Sequence, residues 1–251
     1  NGGSLKPNFW RAVTDNDMGA NVQEKFAAWR DPQMKLTSLQ VDKKAKTVTA
    51  TYNLPKVKAD LTIAYRATEN GTLNVTQSLK TTPGAEMPEM MRFGMVMNLP
   101  YAMDQAEWYG RGPVENYSDR KLSQNVGIYK ATADQLFYPY VRPQETGTMS
   151  DLRWWNIKDN NGFGLRIESD ALFSASALHY DLYTLDEGKE KNQRHSQSLP
   201  KSQYTNLFID LVQAGVGGVD SWSDWGRARK GHRVEYKDYT FSFRISPKTL
   251  Y

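Results

Sequence analysis

Cysteine is absent from the 251 residues. The chain therefore has no disulfide framework, no thiolate nucleophile and no cysteine-ligated zinc. It also has no long apolar run, and its mean hydropathy is −0.68, which excludes a transmembrane helix. The 32 Lys and Arg only slightly exceed the 28 Asp and Glu, and they are scattered along the chain. No basic stretch predicts a nucleic-acid partner, and nothing predicts a membrane partner.

The composition is that of a folded domain, with 39% hydrophobic and 24% charged residues. Helix signals are few: Val22, Phe26 and either Trp29 or Arg30 share one helical face after a possible Asn21 cap, and single turns are predicted at 133–136 and 181–185. The remaining patterns are alternating or β-branched runs typical of strands. The strands are predicted at 34–41, 47–53, 57–66, 73–77, 90–99, 106–109, 126–130, 154–158, 163–168, 172–178, 206–212 and 235–245.

Two turns predict β-hairpins. Asn70-Gly71 separates two alternating runs, and Asn160-Asn161-Gly162 separates two more. Both contain residues that tolerate the positive φ of tight hairpin turns. No alternation of strands and helices is present, so a parallel doubly wound sheet is not favoured. The sequence predicts one all-β domain over 1–251, a large antiparallel sandwich with few short helices. Residues 1–7 read as a linker, so we expect a fragment of a longer protein.

Four segments combine Gly or Pro with carboxylates and aromatics, and three of them also contain Arg, a composition typical of ligand-binding loops on a rigid sheet. We call them segments one to four: 8–19, 108–120, 140–147 and 215–223. In segment one, Asp15-Asn16-Asp17 is either a metal cluster or a polar turn before a helix. The spacing of Gly19 and Phe26 does not match a calcium-binding loop, so the turn is favoured and no metal site is predicted.

Segment four contains the run Gly215-Val216-Gly217-Gly218 followed by Asp220, Ser221 and Trp222. It lacks the Lys-Ser/Thr ending of a phosphate loop, so a tight turn is favoured. Asp220 or Ser221 could anchor that turn through hydrogen bonds to backbone. Trp222 is either a core residue or an exposed ring that could stack on a sugar.

Three loop carboxylates, Glu115, Glu145 and Asp220, could supply the acid pair of a glycosidase. Arg111, Arg120 and Arg142 lie nearby in sequence, and ion pairing within structural loops is the favoured interpretation. His179, His195 and His232 occupy no triad or metal-ligand spacing.

Together the segments resemble a known family, the C-terminal (small-chain, domain 5) region of multidomain bacterial β-galactosidases of glycoside hydrolase family 2. The matching residues follow the family's order along the chain. They are Asn8-Phe9-Trp10-Arg11, Thr14-Asp15-Asn16-Asp17, Gly110-Arg111-Gly112-Pro113, Glu115-Asn116-Tyr117, Asp119-Arg120, Tyr140-Val141, Pro143-Gln144-Glu145, Gly147, Gly215 to Gly218 and Asp220-Ser221-Trp222.

The resemblance implies an antiparallel β-supersandwich similar to galactose mutarotase. It also implies that the catalytic glutamates, and any Mg²⁺ or Na⁺ that assists them, lie in a (β/α)₈ barrel earlier in a longer chain. No catalytic residue and no cofactor are expected here. Trp222 would stack on a β-galactoside at the mouth of the active site, and Asp220 beside it is a second candidate for binding the substrate. Gly19 is either the hinge of a mobile loop at that mouth or part of a plain turn.

Three functions remain open: a β-galactosidase domain acting with preceding domains of its own chain, a stand-alone aldose 1-epimerase, and a non-catalytic carbohydrate-binding module. An epimerase needs a paired acid and base, such as Glu and His, and no histidine lies in the four segments. By resemblance, the longer enzyme is a homo-oligomer of the bacterial cytoplasm or periplasm. The remaining loop residues, Asp15, Asn16, Asp17, Arg111, Glu115, Asn116 and Glu145, are expected to be structural.

Overall fold

The computed structural model describes residues 5–186 and 194–249, and twelve strands of this part form one antiparallel sheet. The strands are β1 (Leu5–Asn8), β2 (Lys35–Asp42), β3 (Thr47–Leu54), β4 (Ala59–Ala67), β5 (Leu73–Thr81), β6 (Arg92–Pro100), β7 (Gln105–Gly112), β8 (Asn125–Thr132), β9 (Met149–Lys158), β10 (Phe163–Leu178), β11 (Tyr204–Gln213) and β12 (Tyr239–Thr249). The all-β prediction is confirmed.

The main path of the sheet runs β1-β6-β11-β10-β12-β5-β4-β3-β2. A branch leaves this path at β10, which also pairs with β9; β9 pairs with β7, and β7 pairs with β8. One cluster of buried apolar side chains draws on both the main path and the branch. The sheet therefore curls into a sandwich around a single core. Four fully buried tryptophans, Trp10, Trp29, Trp108 and Trp155, are its largest members.

Both predicted hairpins are present. Gly71 has φ +80° between β4 and β5, and Gly162 has φ +83° between β9 and β10. The runs 163–168 and 172–178 were predicted as two strands. They are the two halves of β10, whose pairing with β9 is irregular between Glu168 and Phe173.

Within residues 5–186 and 194–249, five short α-helices are present: α1 (Asp15–Gly19), α2 (Val22–Lys25), α3 (Ala27–Arg30), α4 (Ala133–Leu136) and α5 (Leu182–Leu185). The helix predicted from Val22 to Trp29 is interrupted at Phe26, whose φ of −107° is not helical. Asn21 occupies the cap position of α2 in the left-handed conformation, and its side chain makes no capping hydrogen bond. The capping role suggested for Asn21 is therefore wrong.

Residues 5–7 of the predicted linker lie in β1, which pairs with β6 from Leu5↔Met97 to Asn8↔Gly94. The apolar and β-branched signal for this strand is weak, because it contains Lys6 and Pro7. Pro lacks a backbone N–H, and within sheets it is found at edges, where β1 lies. Among the described residues, no helix is long and apolar enough to cross a membrane.

Candidate functional site

The four loop segments converge in one cluster. Arg11 of segment one donates to the carbonyl oxygen of Gly215 in segment four, 2.7 Å away. Asp119 of segment two accepts from the backbone of segment four. Glu115 of segment two accepts from the backbone N–H of Gly147 in segment three at 2.6 Å. Hydrogen bonds thus join segments far apart in sequence into one cluster.

Segment one is held by a buried ion pair. The Nη1 atom of Arg11 lies 2.7 Å from Oδ2 of Asp17, and both side chains are almost completely buried. Burial lowers the pKa of Arg11, but the charges of Asp17 and Glu145 and the hydrogen bond to Asp17 raise it, and the net shift is upward, so the guanidinium stays charged. Asp17 also accepts from the backbone N–H of Thr14, whose hydroxyl accepts in turn from Asp17 N–H. This capping box starts α1, so the expected turn is a helical turn.

The other members of the predicted Asp15-Asn16-Asp17 turn point to different partners. Asp15 lies 3.7 Å from the Nε of Arg142 and contacts the amide of Gln144. The carbonyl oxygen of Asn16 lies beside Gly226. The described residues contain no group of three or more His, Cys, Asp or Glu side chains placed to hold a metal ion.

In segment two, Arg111 does not pair with a segment carboxylate. Its Nε donates to Asp151 of β9 at 2.5 Å, and its Nη1 donates to the carbonyl oxygen of Gln124 at 2.7 Å. Asn116 is fully buried: its side-chain amide donates to Val114 O, and its Oδ1 accepts from Ser150 N–H at 3.0 Å. Both side chains therefore fix the loop to β9.

Glu115 is buried and held by several donors. One carboxylate oxygen accepts from the Arg120 guanidinium and the Tyr140 hydroxyl. The other accepts from the Thr146 hydroxyl at 3.1 Å and from Gly147 N–H. The pairing with a nearby arginine that the sequence predicted is present.

Glu145 is also buried, but its cation comes from an unpredicted place. Its Oε1 accepts from Arg92 at 3.1 Å, from the Thr148 hydroxyl at 3.0 Å and from the Gln213 amide at 2.9 Å. Arg92 begins β6, far from Glu145 in sequence, so proximity along the chain gave no indication of this pair. Arg92 also lies 3.4 Å from Asp210 of β11. The sequence signal that could have found Asp210 is a single carboxylate inside an apolar strand.

The glycine-rich run of segment four already holds an anion, the side chain of Asp119. Its carboxylate accepts from the backbone N–H of Val216 at 3.2 Å and of Gly217 at 2.9 Å. A Cβ added at Gly215 would lie 2.2 Å from Asp119 Oδ2. The run is therefore a tight turn around a carboxylate of this chain, as favoured over a phosphate loop.

The Trp222 ring projects outward. Trp222 is 79% exposed, so the alternative that it belongs to the core is wrong. Asp220 Oδ1 accepts from the backbone N–H of Trp222 and of Ser223, and its Oδ2 accepts from the Ser223 hydroxyl at 2.6 Å. The Ser223 hydroxyl and the two backbone donors lower the pKa of Asp220. The predicted anchoring of the turn by Asp220 is present.

A second exposed tryptophan, Trp225, was not singled out from the sequence. It is 70% exposed and lies on the same loop, which is closed by a 2.8 Å hydrogen bond from Val219 N–H to Trp225 O. The other five tryptophans are buried or half-buried. One loop therefore exposes two large aromatic side chains, and apolar surface concentrated in this way is typical of interaction sites.

Gly19 ends α1 directly against this loop. A Cβ added at Gly19 would lie 1.9 Å from the carbonyl oxygen of Ser221 and 2.7 Å from the backbone nitrogen of Trp222. Its φ is not in the left-handed region. The described geometry therefore requires glycine for a close backbone approach. The hinge role suggested for Gly19 stays a prediction.

We expect Gly19→Ala to push the Trp222 loop away from α1, because the new methyl group overlaps backbone atoms that cannot rotate aside. The expected loss is about 1–3 kcal/mol in the free energy of unfolding. The indole N–H signal of Trp222 should shift in NMR spectra. Gly217→Ala is the control, since its Cβ would meet Asp119 Oδ2 at 3.3 Å and needs only a small adjustment. Equal effects of the two substitutions would contradict the expectation.

His179 and His232 make contacts of a structural kind. His179 is buried, stacks on Tyr101 with ring centroids 3.8 Å apart, and has its Nδ1 3.0 Å from Asp134. The backbone N–H of His232 donates to Arg229 O, and its carbonyl oxygen accepts from Gly215 N–H. None of these contacts pairs a histidine with a carboxylate of the four segments.

The fold and the loop cluster define an antiparallel β-sandwich domain with two exposed tryptophans on one surface loop. Residues 3–245 match the model of the family described as "Beta galactosidase small chain". The chain belongs to this family.

Curated relatives agree with this family assignment. The chain is 32% identical over 248 residues to a β-galactosidase of Priestia megaterium, a match that covers 97% of this chain and 23% of the relative. It is 35% identical over 221 residues to a β-galactosidase of Lactobacillus delbrueckii subsp. bulgaricus, covering 85% and 21%. The chain thus spans less than a quarter of the length of these bacterial relatives.

Among solved structures, the chain is similar to a putative aldose 1-epimerase of Escherichia coli K12, with a TM-score of 0.46, 12% identity, and coverage of 86% of this chain and 69% of that one. It is also similar to a galactose mutarotase related enzyme of Lactobacillus acidophilus, with a TM-score of 0.44, 11% identity, and coverage of 89% and 73%.

Proposed function

We propose that this chain is the part of a β-galactosidase that completes the mouth of the active site and binds the sugar there, while the catalytic carboxylates lie on another domain of a longer polypeptide. The reaction of that enzyme is hydrolysis of terminal β-D-galactose residues. Within it, the loop that carries Trp222 contacts the substrate.

The exposed, anchored ring of Trp222 carries this proposal. A sugar presents an apolar C–H face to which an aromatic ring can stack, and a ring packed in the core could not offer that face. The loop is already fixed by Asp220, by Ser223 and by its contact with Gly19. Binding to a surface ordered in advance loses less conformational entropy than binding to a mobile loop.

The two buried glutamates support a catalytic centre elsewhere. Glu115 accepts from Arg120, Tyr140, Thr146 and the backbone, and Glu145 accepts from Arg92, Thr148 and Gln213. A general acid must hold a proton and present it to the substrate. Both glutamates instead use their carboxylate oxygens in these buried contacts, so neither is free to reach a substrate.

We expect Trp222→Ala in the complete β-galactosidase to raise KM about tenfold, because a lost aromatic stacking contact is about 1 kcal/mol or slightly more. The melting temperature of the chain itself should change little, since the ring is 79% exposed. Michaelis constants for a nitrophenyl β-galactoside and thermal melts of the chain are the two measurements.

Trp225→Ala is the matched control, because it removes an exposed ring from the same loop outside the matching motif. Its effect on KM should be smaller than that of Trp222→Ala. If Trp222→Ala left KM unchanged and lowered the melting temperature steeply, the proposed contact with substrate would be wrong.

The chain alone should not hydrolyse the nitrophenyl β-galactoside, because its buried glutamates are committed to structural contacts. The measurement is the release of nitrophenol by purified chain. Hydrolysis that disappears in Glu115→Gln or Glu145→Gln variants, while these variants remain folded, would show that the catalytic pair lies here.

A non-catalytic carbohydrate-binding module is the second candidate, and the exposure of Trp222 and Trp225 favours it equally. The reading frame upstream of Asn1 separates the two candidates. A barrel domain encoded there supports the β-galactosidase, whereas its absence together with galactose binding by the chain supports the module.

A further inference from the structure

The hairpin of β2 and β3 carries apolar side chains that nothing in the described part of the chain covers. Leu36, Leu39 and Val41 of β2 are 55%, 59% and 61% exposed, and Val48 of β3 is 36% exposed. We call these four residues the hairpin strip. Single exposed apolar residues are ordinary on protein surfaces, but neighbouring ones on a single face mark an interaction site.

The strand register places the hairpin strip on the core side of the sheet. Leu39 is opposite Ala50, and Ala50 is opposite Ile63 of β4, which is 1% exposed. Val41 lies two positions beyond Leu39 on β2 and is opposite Val48 of β3, so Val41 and Val48 lie on the same face as Leu39. The core face of β4 and β5 therefore continues onto β3 and β2. There, the described residues no longer bury it.

Leu36 joins this face because the pairing of β2 with β3 is irregular between Leu36 and Ser38. Leu36 is opposite Tyr52, and Tyr52 is opposite the buried Leu61. Without the irregularity, Leu36 and Leu39 would point to opposite faces, because side chains alternate along a strand. The distortion thus brings a third apolar side chain to the uncovered face.

The other face of the hairpin has the polar character of a surface exposed to water. It carries Gln40 and Ser38 on β2 and Thr49 and Thr51 on β3, at the positions that alternate with the apolar ones. Polar and apolar faces in alternation are typical of a strand buried on one side only. The pattern of β2 is therefore that of a half-buried strand, although all its residues but Ser38 are exposed.

β2 also has an open backbone edge. Among the described residues it pairs with β3 alone and ends the main path of the sheet. An edge strand with unpaired N–H and C=O groups beside an apolar face readily binds another chain segment. Lys35, Lys43 and Lys44 border the strip and are exposed, as is one carboxylate, Asp42, so the rim has a net positive charge.

We propose that another domain of the same longer polypeptide packs on the hairpin strip, with an apolar surface bordered by acidic groups. This inference rests on the proposed function only in that the chain is part of a larger enzyme. The relatives' lengths support this occupant. The match covers only 21–23% of each β-galactosidase relative, so a polypeptide of that length consists mostly of other domains. Interfaces between domains of one chain cover apolar surface of this kind.

The test compares the chain with the complete polypeptide encoded by its gene, each carrying Leu39→Glu or Gln40→Glu. The readout is amide hydrogen exchange of the segment 35–48, followed by mass spectrometry. We expect exchange at least tenfold slower in the complete polypeptide than in the chain. Leu39→Glu should remove this protection, and Gln40→Glu, which adds the same charge on the other face of the same strand, should preserve it.

The melting temperature of the chain alone should be unchanged by Leu39→Glu, which shows that the variant folds, because Leu39 is already exposed. Equal exchange in both forms, or protection that survives Leu39→Glu, would overturn the proposal. A second copy is the other possible occupant: a dimer of the chain in sedimentation velocity, dispersed by Leu39→Glu, would also overturn it. Neither result depends on the KM of Trp222→Ala, so failure here is distinct from failure of the proposed function.

Discussion

Arg11→Met should lower the free energy of unfolding by about 3–5 kcal/mol, the loss typical of removing one partner from a buried ion pair. Arg11 is fully buried and bonds Asp17, Ala12 O and Gly215 O. Methionine fills much of the same volume but leaves the Asp17 carboxylate buried without its cation. Because Gly215 begins segment four, the contact between segments one and four should loosen as well. Urea unfolding of the chain measures the loss.

The double variant Arg11→Met/Asp17→Asn separates charge from packing. Asparagine removes the buried charge and keeps a polar group at the start of α1, so part of the lost stability should return. Lys56→Met is the surface control: Lys56 and Asp31 are 42% and 70% exposed, and removing such a pair changes stability by about 1 kcal/mol or less. A double variant no more stable than Arg11→Met would show that the buried charge is not the cause.

The strands and hairpins could be predicted because their signals are local. Asn70-Gly71 and Asn160-Asn161-Gly162 set the turns, and alternation set the flanking strands, so each element followed from adjacent residues. β1 was missed because four residues that include Lys6 and Pro7 have no strand signal of their own. It forms through pairing with β6, which lies some ninety positions away.

The candidate site was predictable in its segments and less so in its contacts. The sequence identified the four segments, and the pair of Glu115 with Arg120 followed from their closeness along the chain. The pair of Glu145 with Arg92 and that of Arg111 with Asp151 depend on which strands become neighbours, so spacing could not reveal them. The sequence left the exposure of Trp222 undecided, because an aromatic residue that follows two glycines suits a core turn and a surface loop equally.

Asp210 stands out because the charges around it do not balance. Arg92 lies between two carboxylates, 3.1 Å from Glu145 and 3.4 Å from Asp210, and all three side chains are almost completely buried. One cation cannot neutralise two anions. Burial raises the pKa of Asp210 to about 7, an effect that the charge of Arg92 opposes and that of Glu145 reinforces. A proton on Asp210 therefore restores the balance.

This shift makes stability depend on pH in a defined direction. Since the pKa of Asp210 is about 7 in the folded chain and 3.8 as its ordinary value, the folded state binds the proton more tightly. The contribution of Asp210 is complete below pH 4 and is lost as pH rises to 7. A difference of about three pKa units corresponds to at most about 4 kcal/mol.

Asp210→Asn should therefore become more stable relative to the unsubstituted chain as pH rises from 4 to 7, because the amide resembles the protonated acid and cannot ionise. The measurement is urea unfolding of both proteins across this range, taking the difference between their free energies of unfolding at each pH. Asp238→Asn is the control: hydrogen bonds from Lys80 and Thr81 lower the pKa of that exposed carboxyl to about 2, so its difference curve should be flat above pH 4. A flat curve for Asp210→Asn would mean that Asp210 is already ionised in the folded chain, and that Arg92 tolerates two charged partners in the core.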